Sequence, residues 1–235
     1  MKLSIVIPTK NDDQNRHLAT ILALMADLPV ELLVVDWGSV VPIEVPDGVT
    51  LLRVPPDLAD QYNGDSYFAF ATATNVGFRR ASGDYLAYFG NDSFCDAELL
   101  RWLEGADPST FYLISRKNID SIADKATAEP AKMTRDLHAS GGQLAHRNVW
   151  ETLHGYDQRL IYYGWMDHEA RVRAQLGEFR VKTVYDVSVY HFRHPKSAMR
   201  QSGKVNERVF PEEMFHYTAA AANDANWGLG NEVLV

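Results

Sequence analysis

Residues 4–11 read SIVIPTKN, and this stretch decides the fold class. An apolar, β-branched run from Leu3 to Ile7 stops at a proline and gives way to polar residues, which is the pattern of a short strand buried on both faces. Similar runs extend from Glu31 to Val35, from Val49 to Val54 and from Tyr85 to Phe89. The sequence therefore predicts several buried strands in its first half.

Apolar residues at helical spacing lie between these strands. We expect helices from Gln14 to Ala26 and from Tyr67 to Arg80. Strands that alternate with helices are typical of parallel β-α-β units. The sequence thus predicts the α/β class, with a mostly parallel central sheet flanked by helices.

The second half of the chain is less regular. It predicts a strand at Thr110–Ser115 and a loop at Asn118–Arg135. Two helices are expected next, at Asn148–Leu153 and Asp167–Leu176. The segment Val181–Tyr190 is predicted to form two strands with a bend at Asp186. The tail from Ala219 onward, which contains Trp227, has no assignment. Internal repeats and low-complexity linkers are absent from the sequence, which favours one domain.

Composition limits the function classes. The 235 residues are 46% apolar and 23% charged, enough for one substantial core. A net charge of -8 argues against a broad interface with nucleic acid. A phosphate ligand remains compatible with this charge, because a few carboxylates around a divalent cation can hold a diphosphate.

Cys95 is the only cysteine, which excludes an intramolecular disulfide and fits a reducing compartment. The first residues lack the apolar core of a signal peptide, and no stretch of the sequence reaches membrane-spanning length. We therefore expect a cytoplasmic protein without a transmembrane segment. Peripheral association with a membrane-bound acceptor stays open.

Polar residues follow three of the predicted strands. Thr9, Asn11, Asp36 and Asp92 come where ligands bind in open parallel sheets, beyond the carboxyl ends of strands. Each alone is explained as a turn or cap residue, but together they indicate a ligand site. The turn after the first strand has no Gly-x-Gly-x-x-Gly, and the chain has no Walker loop. A nucleotide would therefore be held by side chains and a metal.

Two other enzyme classes receive little support. His168 lies between Asp167 and Glu169, but the chain has no His-Glu-x-x-His pattern for zinc catalysis. A Gly-x-Ser-x-Gly elbow, expected in many serine hydrolases, is also absent.

Four segments in order resemble known enzymes. SIVIPTKN at 4–11, VVDWGS at 34–39 and TNVGFRRASGDYLAYFGNDSF at 74–94 resemble the nucleotide-binding half of family 2 inverting glycosyltransferases. The run GGQLAHRNVWETLHGYDQRLIYYGWMDHEARVR at 141–173 is similar to the C-terminal half of the β-1,4-galactosyltransferase group, in which a Gly-Gly segment precedes a GW-x-E-D motif. The resemblance implies a GT-A fold in one domain, with a nucleotide-binding half at 1–92, an acceptor and catalytic half at 93–218 and a tail at 219–235.

The resemblance also implies a nucleotide-sugar donor, with a uridine nucleotide favoured. Asp36 falls where the related enzymes contact the uridine. The other implied nucleotide-sugar contacts are Pro8, Thr9, Asn11, Asn75, Gly77 and Asn91.

The metal-binding Asp-x-Asp motif of these enzymes falls on Gly90-Asn91-Asp92, so one acid remains and Asp92 is the implied carboxylate ligand. The segment VYHFRHPKS at 189–197 matches the position of a later metal-binding histidine at His191, with His194 a weaker candidate. Imidazole and oxygen ligands suit Mn²⁺ better than Ca²⁺, and Mg²⁺ stays open. The alternatives are a surface turn for Asp92 and a structural role for His191.

The Glu-Asp pair of the GW-x-E-D motif falls on Met166-Asp167. The implied catalytic base is therefore Asp167, with Glu169 as the second candidate. A simple helix cap is the alternative for Asp167. Trp165 and Gly142 are the implied acceptor-binding residues, the first by stacking on a sugar ring and the second by close backbone approach, with core packing and an ordinary loop as alternatives.

The implied function is a metal-dependent inverting glycosyltransferase, specifically a hexosyltransferase. Its acceptor would be a hydroxyl of a glycan or lipid-linked saccharide, as in polysaccharide biosynthesis. Two alternatives remain. The first is a sugar nucleotidyltransferase, which would need a glycine-rich, basic first loop; the residues Pro8-Thr9-Lys10-Asn11 are a poor match to such a loop. The second is a non-catalytic GT-A-fold protein that binds a glycan or nucleotide, and its support is the reduced metal motif and the methionine at position 166.

Overall fold

The computed structural model describes residues 1–10, 16–131, 140–194, 205–230, 232 and 234. Its strands are β1 (Leu3–Thr9), β2 (Val30–Trp37), β3 (Thr50–Val54), β4 (Tyr85–Phe89), β5 (Ser93–Phe94), β6 (Thr110–Ile119), β7 (Ser140–His146) and β8 (Arg180–Phe192). Its α-helices are α1 (Leu18–Met25), α2 (Pro56–Asn63), α3 (Phe70–Arg80), α4 (Ala97–Leu103), α5 (Arg147–Leu153), α6 (Met166–Leu176) and α7 (Asn206–Val209). Short 3₁₀ helices span Ile122–Ala126 and Glu212–Phe215.

All eight strands belong to one mixed sheet, in the order β3-β2-β1-β4-β7-β6-β8-β5. The first four are parallel, as the sequence predicts. β7 runs antiparallel to both β4 and β6, and β5 runs antiparallel to β8. The α/β class and the mostly parallel sheet are confirmed.

Apolar residues cover both faces of the sheet. On one face, Val6, Leu33 and Val35 pack with apolar residues of α3, α5 and α6. On the other, residues such as Ile5 and Ile7 pack with α1 and α4. Alternate residues of a strand point to opposite faces, so a continuously apolar β1 can bury both sides.

Several elements differ from the sequence expectation. The helices α2 and α4 and the strands β5 and β7 were not predicted, and β6 continues through the start of the expected loop to Ile119. The expected bend at Asp186 is a bulge within one strand, because consecutive β6 residues pair with Val184 and Ser188. The three residues between them are accommodated by local distortion of the ladder.

The tail has a defined place in the structure. Trp227 and Leu229 are buried in the core beside α3. The Arg80 guanidinium donates to the carbonyls of Gly228, Gly230 and Glu232, at 2.8, 3.4 and 3.1 Å. These contacts attach the tail to the C-terminal end of α3. Among the residues that the structure describes, no helix is long and apolar enough to cross a membrane.

Helix α3 approaches the sheet closely at Gly77. A Cβ atom at this position would lie 2.3 Å from Cγ1 of Val6 and 3.1 Å from Cγ2 of Val35. Real Cβ atoms do not come so near, so any larger residue would push the helix away from β1. The glycine thus lets α3 lie directly on the sheet.

We expect Gly77→Ala to lower the free energy of unfolding by about 1–3 kcal/mol, the usual cost of overpacking a close-packed core. Urea denaturation followed by circular dichroism measures this change. Gly105→Ala is the matched control, because a Cβ at Gly105 would meet only the Trp102 carbonyl oxygen at 3.9 Å. Equal stability of the two variants would contradict the close approach of α3.

Candidate functional site

Strand ends from both halves of the chain meet at one edge of the sheet. The Asn91 side-chain amide donates to the Thr9 hydroxyl at 3.1 Å, which joins the end of β1 to the turn after β4. Phe89, the last residue of β4, pairs with Gly142 near the start of the antiparallel β7. This edge therefore contains Thr9 and Asn91, which are predicted to contact the nucleotide sugar, and Gly142, which is predicted to contact the acceptor sugar.

A carboxylate and two imidazoles lie together at this edge. Ser93 of β5 pairs with His191 of β8, and the Phe192 amide donates to the Asp92 carbonyl at 3.0 Å. Asp92 Oδ2 consequently lies 3.4 Å from His191 Nε2 and 2.9 Å from His194 Nε2. The structure brings the predicted metal residues Asp92 and His191 together and places His194 beside them.

The histidines determine the charge state of Asp92. Burial acts to raise the pKa of its carboxyl, but hydrogen bonds and charge from His191 and His194 outweigh this effect and hold the pKa well below its usual range. The Ser93 hydroxyl also donates to Asp92 Oδ1, at 3.0 Å. Asp92 is therefore an ionised acceptor that is held in place from several directions.

The cluster fits a divalent cation by its chemistry. The three side chains each offer one ligand atom, and these atoms lie within 4.8 Å of one another. One carboxylate with two imidazoles, which become neutral when they bind a metal, suits borderline cations such as Mn²⁺. At Gly90, the place of the missing acid, a Cβ would lie 2.7 Å from Asp92 Oδ1. A larger residue there would require the Asp92 carboxylate to shift.

Asp167 lies in the first turn of α6 and is half-buried. Its Oδ1 accepts the His168 amide at 3.0 Å. Trp165, which precedes the helix, has φ of 75°, a left-handed conformation that is uncommon for a bulky residue. The turn that carries the predicted base is thus a specific, constrained geometry.

The Tyr88 phenol is influenced by two of the predicted site residues. Burial raises the pKa of the Tyr88 hydroxyl well above its usual value, and the charges of Asp92 and Asp167 raise it further. Both carboxylates therefore favour the neutral form of this phenol. Tyr88 follows the alternation of β4, but without the structure nothing distinguishes it from a core residue.

Glu169, the second candidate base, lies inside the core. Its side chain is fully buried, and its Oε2 lies 2.6 Å from Arg173 Nε. Its Oε1 accepts the Asp157 amide at 3.1 Å. With both oxygens engaged inside the core, the carboxylate has no route to an acceptor hydroxyl.

The other predicted donor residues have varied surroundings. Pro8 is buried in β1 beside Val35. Asp36 is also buried, and its two oxygens accept the amides of Ser39 and Ile43 at 3.3 Å each, which shapes the loop after β2. Asn11 lies outside the described residues.

Asn75 and Gly77 have structural explanations. The Asn75 side chain donates to the Tyr156 carbonyl at 2.8 Å and accepts the Tyr156 amide at 2.7 Å, so both ends of its amide are used inside the protein. Gly77 faces the middle of β1, as described above. We leave both residues out of the proposed donor site.

The two predicted acceptor residues also take part in packing. A Cβ at Gly142 would lie 2.7 Å from the Phe89 ring. The Trp165 ring centroid lies 4.6 Å from those of His168 and Phe215, and its indole Nε1 is buried without a hydrogen-bond partner. Trp165 therefore has an unused donor beside the Asp167 turn, which packing alone does not explain.

His17 is a further residue near the cluster that the sequence does not reveal. Its ring stacks on Phe192, with centroids 4.6 Å apart. Burial lowers the pKa of His17 and Arg16 adds to this effect, whereas Asp92 opposes it. Only the tertiary fold brings the start of α1 to the end of β8.

We expect His194→Ala to weaken Mn²⁺ binding about tenfold or more, since even the loss of outer partners of metal ligands costs 10–100-fold. Electron paramagnetic resonance of free Mn²⁺ in a titration measures the dissociation constant. The matched control is His216→Ala, because His216 is exposed and outside the cluster. Unchanged Mn²⁺ affinity in His194→Ala would show that His194 is not a ligand.

Comparisons by sequence give no relatives: no family model matches the chain, and no curated protein matches it. Solved structures do match. A fragment of S. aureus TarS aligns with TM-score 0.58 and 15% identity over 82% of this chain, which spans 60% of that fragment. Drosophila β1,4-galactosyltransferase 7, a mutant in complex with manganese, UDP-Gal and xylobiose, aligns with TM-score 0.53 and 16% identity over 93% of this chain and 82% of that one.

A third structure extends the comparison. A mannosyltransferase from Pyrobaculum calidifontis, in complex with GDP-Man and Mn²⁺, aligns with TM-score 0.53 and 18% identity over 86% of this chain and 59% of its own. At such identities the likeness concerns the fold alone. The chain therefore has the GT-A fold that these glycosyltransferases share.

Proposed function

We propose that the chain is a metal-dependent inverting glycosyltransferase, which moves a sugar from a nucleotide sugar to a hydroxyl of a glycan or lipid-linked saccharide. One observation carries the proposal. The carboxylate of Asp92 and the imidazoles of His191 and His194 offer ligand atoms within 4.8 Å of one another, at the edge where ligands bind in open α/β sheets.

Asp92, His191 and His194 are the proposed ligands of the cation. A bound divalent cation would neutralise the charge that develops on the departing nucleoside diphosphate. The chain's own part is to keep Asp92 ionised and the two Nε2 atoms aimed at it, which the β5–β8 pairing achieves.

The nucleotide is proposed to lie across the ends of β1, β2 and β4. Thr9 and Asn91 are linked there, and the loop shaped by Asp36 borders the same edge. TarS is solved with UDP-GlcNAc and the galactosyltransferase with UDP-Gal, but the mannosyltransferase holds GDP-Man. A uridine donor is consistent with most of these neighbours and remains part of the proposal.

Asp167 is the proposed base for the acceptor hydroxyl. It is half-buried at the start of an eleven-residue helix, where the amide ends of the helix favour its ionised form. Removal of the hydroxyl proton by Asp167 while that oxygen attacks the anomeric carbon gives inversion in one step. Since Glu169 is paired inside the core, Asp167 is the candidate of the two that can reach an acceptor.

The two alternative functions fit less well. A nucleotidyltransferase would need a basic loop for a triphosphate, whereas the Lys10 ammonium lies over the Tyr67 ring at 4.4 Å from its centroid. A non-catalytic binding protein would have no need of a half-buried ionised carboxylate beside two histidines. The non-catalytic alternative would be favoured if the chain binds a nucleotide sugar but transfers no sugar to any acceptor.

We expect Asp167→Asn to lower sugar transfer about 100-fold or more, because loss of a general base typically costs 10²–10⁴-fold. Release of UDP from a panel of uridine-linked sugars, with a panel of glycoside acceptors, measures the rate. Asp186→Asn, at an exposed site in β8, is the control. Wild-type turnover that survives in Asp167→Asn would exclude Asp167 as the base.

A further inference from the structure

The outward side of α6 carries an arginine and a histidine next to the proposed base. In the first turns of this helix, Glu169 and Arg173 point into the core, whereas Asp167, His168 and Arg171 are half-buried at the surface. Arg171 Nη2 lies 3.3 Å from His168 Nδ1. The two side chains are three residues apart, which places them on the same side of a helix.

The guanidinium of Arg171 has fewer hydrogen-bond and ion-pair partners than that of Arg173 on the same helix. Arg173 pairs with Glu169 and donates to the carbonyls of Leu153 and Gly155. Arg171 forms no ion pair with any carboxylate in the described part of the chain, and its buried Nε has no hydrogen-bond partner. A buried N–H without an acceptor is costly, so an orphaned guanidinium donor needs an explanation.

The pair lies in the acceptor region. The His168 ring centroid is 4.6 Å from that of Trp165, and His168 is adjacent in sequence to Asp167. An incoming acceptor whose hydroxyl reaches Asp167 would therefore bring its neighbouring substituents to His168 and Arg171. The chain as a whole carries a net charge of -8, so a local cation matters for any anionic ligand.

We infer that the acceptor is anionic, with a sugar carboxylate or a phosphate that binds Arg171 and His168 beside the reacting hydroxyl. This inference rests on the proposed function and names its acceptor class. The planar guanidinium offers parallel N–H donors that match the two oxygens of a carboxylate or phosphate. Arg171 Nε would gain its missing acceptor, and His168 would contribute a second donor from its ring.

The test uses three forms of one acceptor that differ only at C6. They are the methyl glycosides of glucose, glucuronic acid and glucose 6-phosphate, with the matching galactose series, measured with protein, UDP and Mn²⁺ by saturation-transfer NMR. We expect an anionic form to bind about tenfold tighter than the neutral one, in keeping with charge-assisted hydrogen bonds. The tighter of the two anionic forms identifies carboxylate or phosphate as the group.

Arg171→Gln should abolish this preference, and Arg171→Lys should retain part of it. Arg180→Gln is the matched control, because Arg180 is 81% exposed and begins β8 at the opposite edge. Thermal melting confirms that each variant is folded. Equal binding of neutral and anionic forms by the wild type, no binding of any anionic form, or a preference unchanged in Arg171→Gln would each overturn the inference.

A UDP titration with Mn²⁺ on the same protein separates the two claims. A normal UDP response without any anion preference refutes the acceptor class and leaves the proposed function intact. No UDP response refutes the donor site, whatever the glycosides do.

Discussion

The antiparallel pairing of Ser93 with His191 joins the two halves of the chain at one point, and the candidate site depends on it. This two-residue strand places the backbone of Asp92 beside Phe192, which directs the carboxylate at both histidines. Asp92 comes from the turn after the fourth strand and the histidines from the end of the eighth. Without the pairing these three groups would be an isolated turn acid and two surface imidazoles.

The remainder of the fold holds this edge in position. Gly77 allows α3 to lie on β1, and Gly142 allows β7 to approach the Phe89 ring. The buried Arg173 ties α6 to the end of α5 and to the following Gly155 and, through the Ala220 carbonyl at 2.9 Å, to the tail. The position of Asp167 is therefore set by a helix that is anchored from inside the core.

The sequence predicts most of the first half of the fold, because short apolar, β-branched runs such as Leu3–Ile7 that stop at a proline or turn are typical of buried strands. It fails where polar or glycine-rich residues form regular structure. Helix α2 is mostly polar and begins with Pro56 in its first turn, a favourable position for proline. The Gly-Gly segment, for which the sequence predicts close backbone approach to a ligand and leaves an ordinary loop as the alternative, lies in β7 and pairs with β4.

In the candidate site too, some residues are predicted from the sequence and others are recognised only in the fold. Asp92 and His191 follow from a resemblance in short motifs, and the structure brings them together. The bonds of Asn75 to Tyr156 are tertiary contacts that the sequence does not reveal. Glu169 and Arg173 are an i, i+4 pair within α6, but the complete burial of this pair appears only in the fold. Motif position by itself therefore suggests a chemical role for Asn75 and Glu169. Arg171 carries no motif, and only its unpaired Nε beside the Asp167 turn makes it a candidate.

The central claim is that Asp92 links a cation to a nucleotide diphosphate. The most direct measurement is a calorimetric titration of UDP into the wild type and Asp92→Ala, each with Mn²⁺ and with chelator. The account predicts UDP binding that requires Mn²⁺ and is lost in Asp92→Ala. Binding of equal strength with chelator, or in the variant, would contradict it.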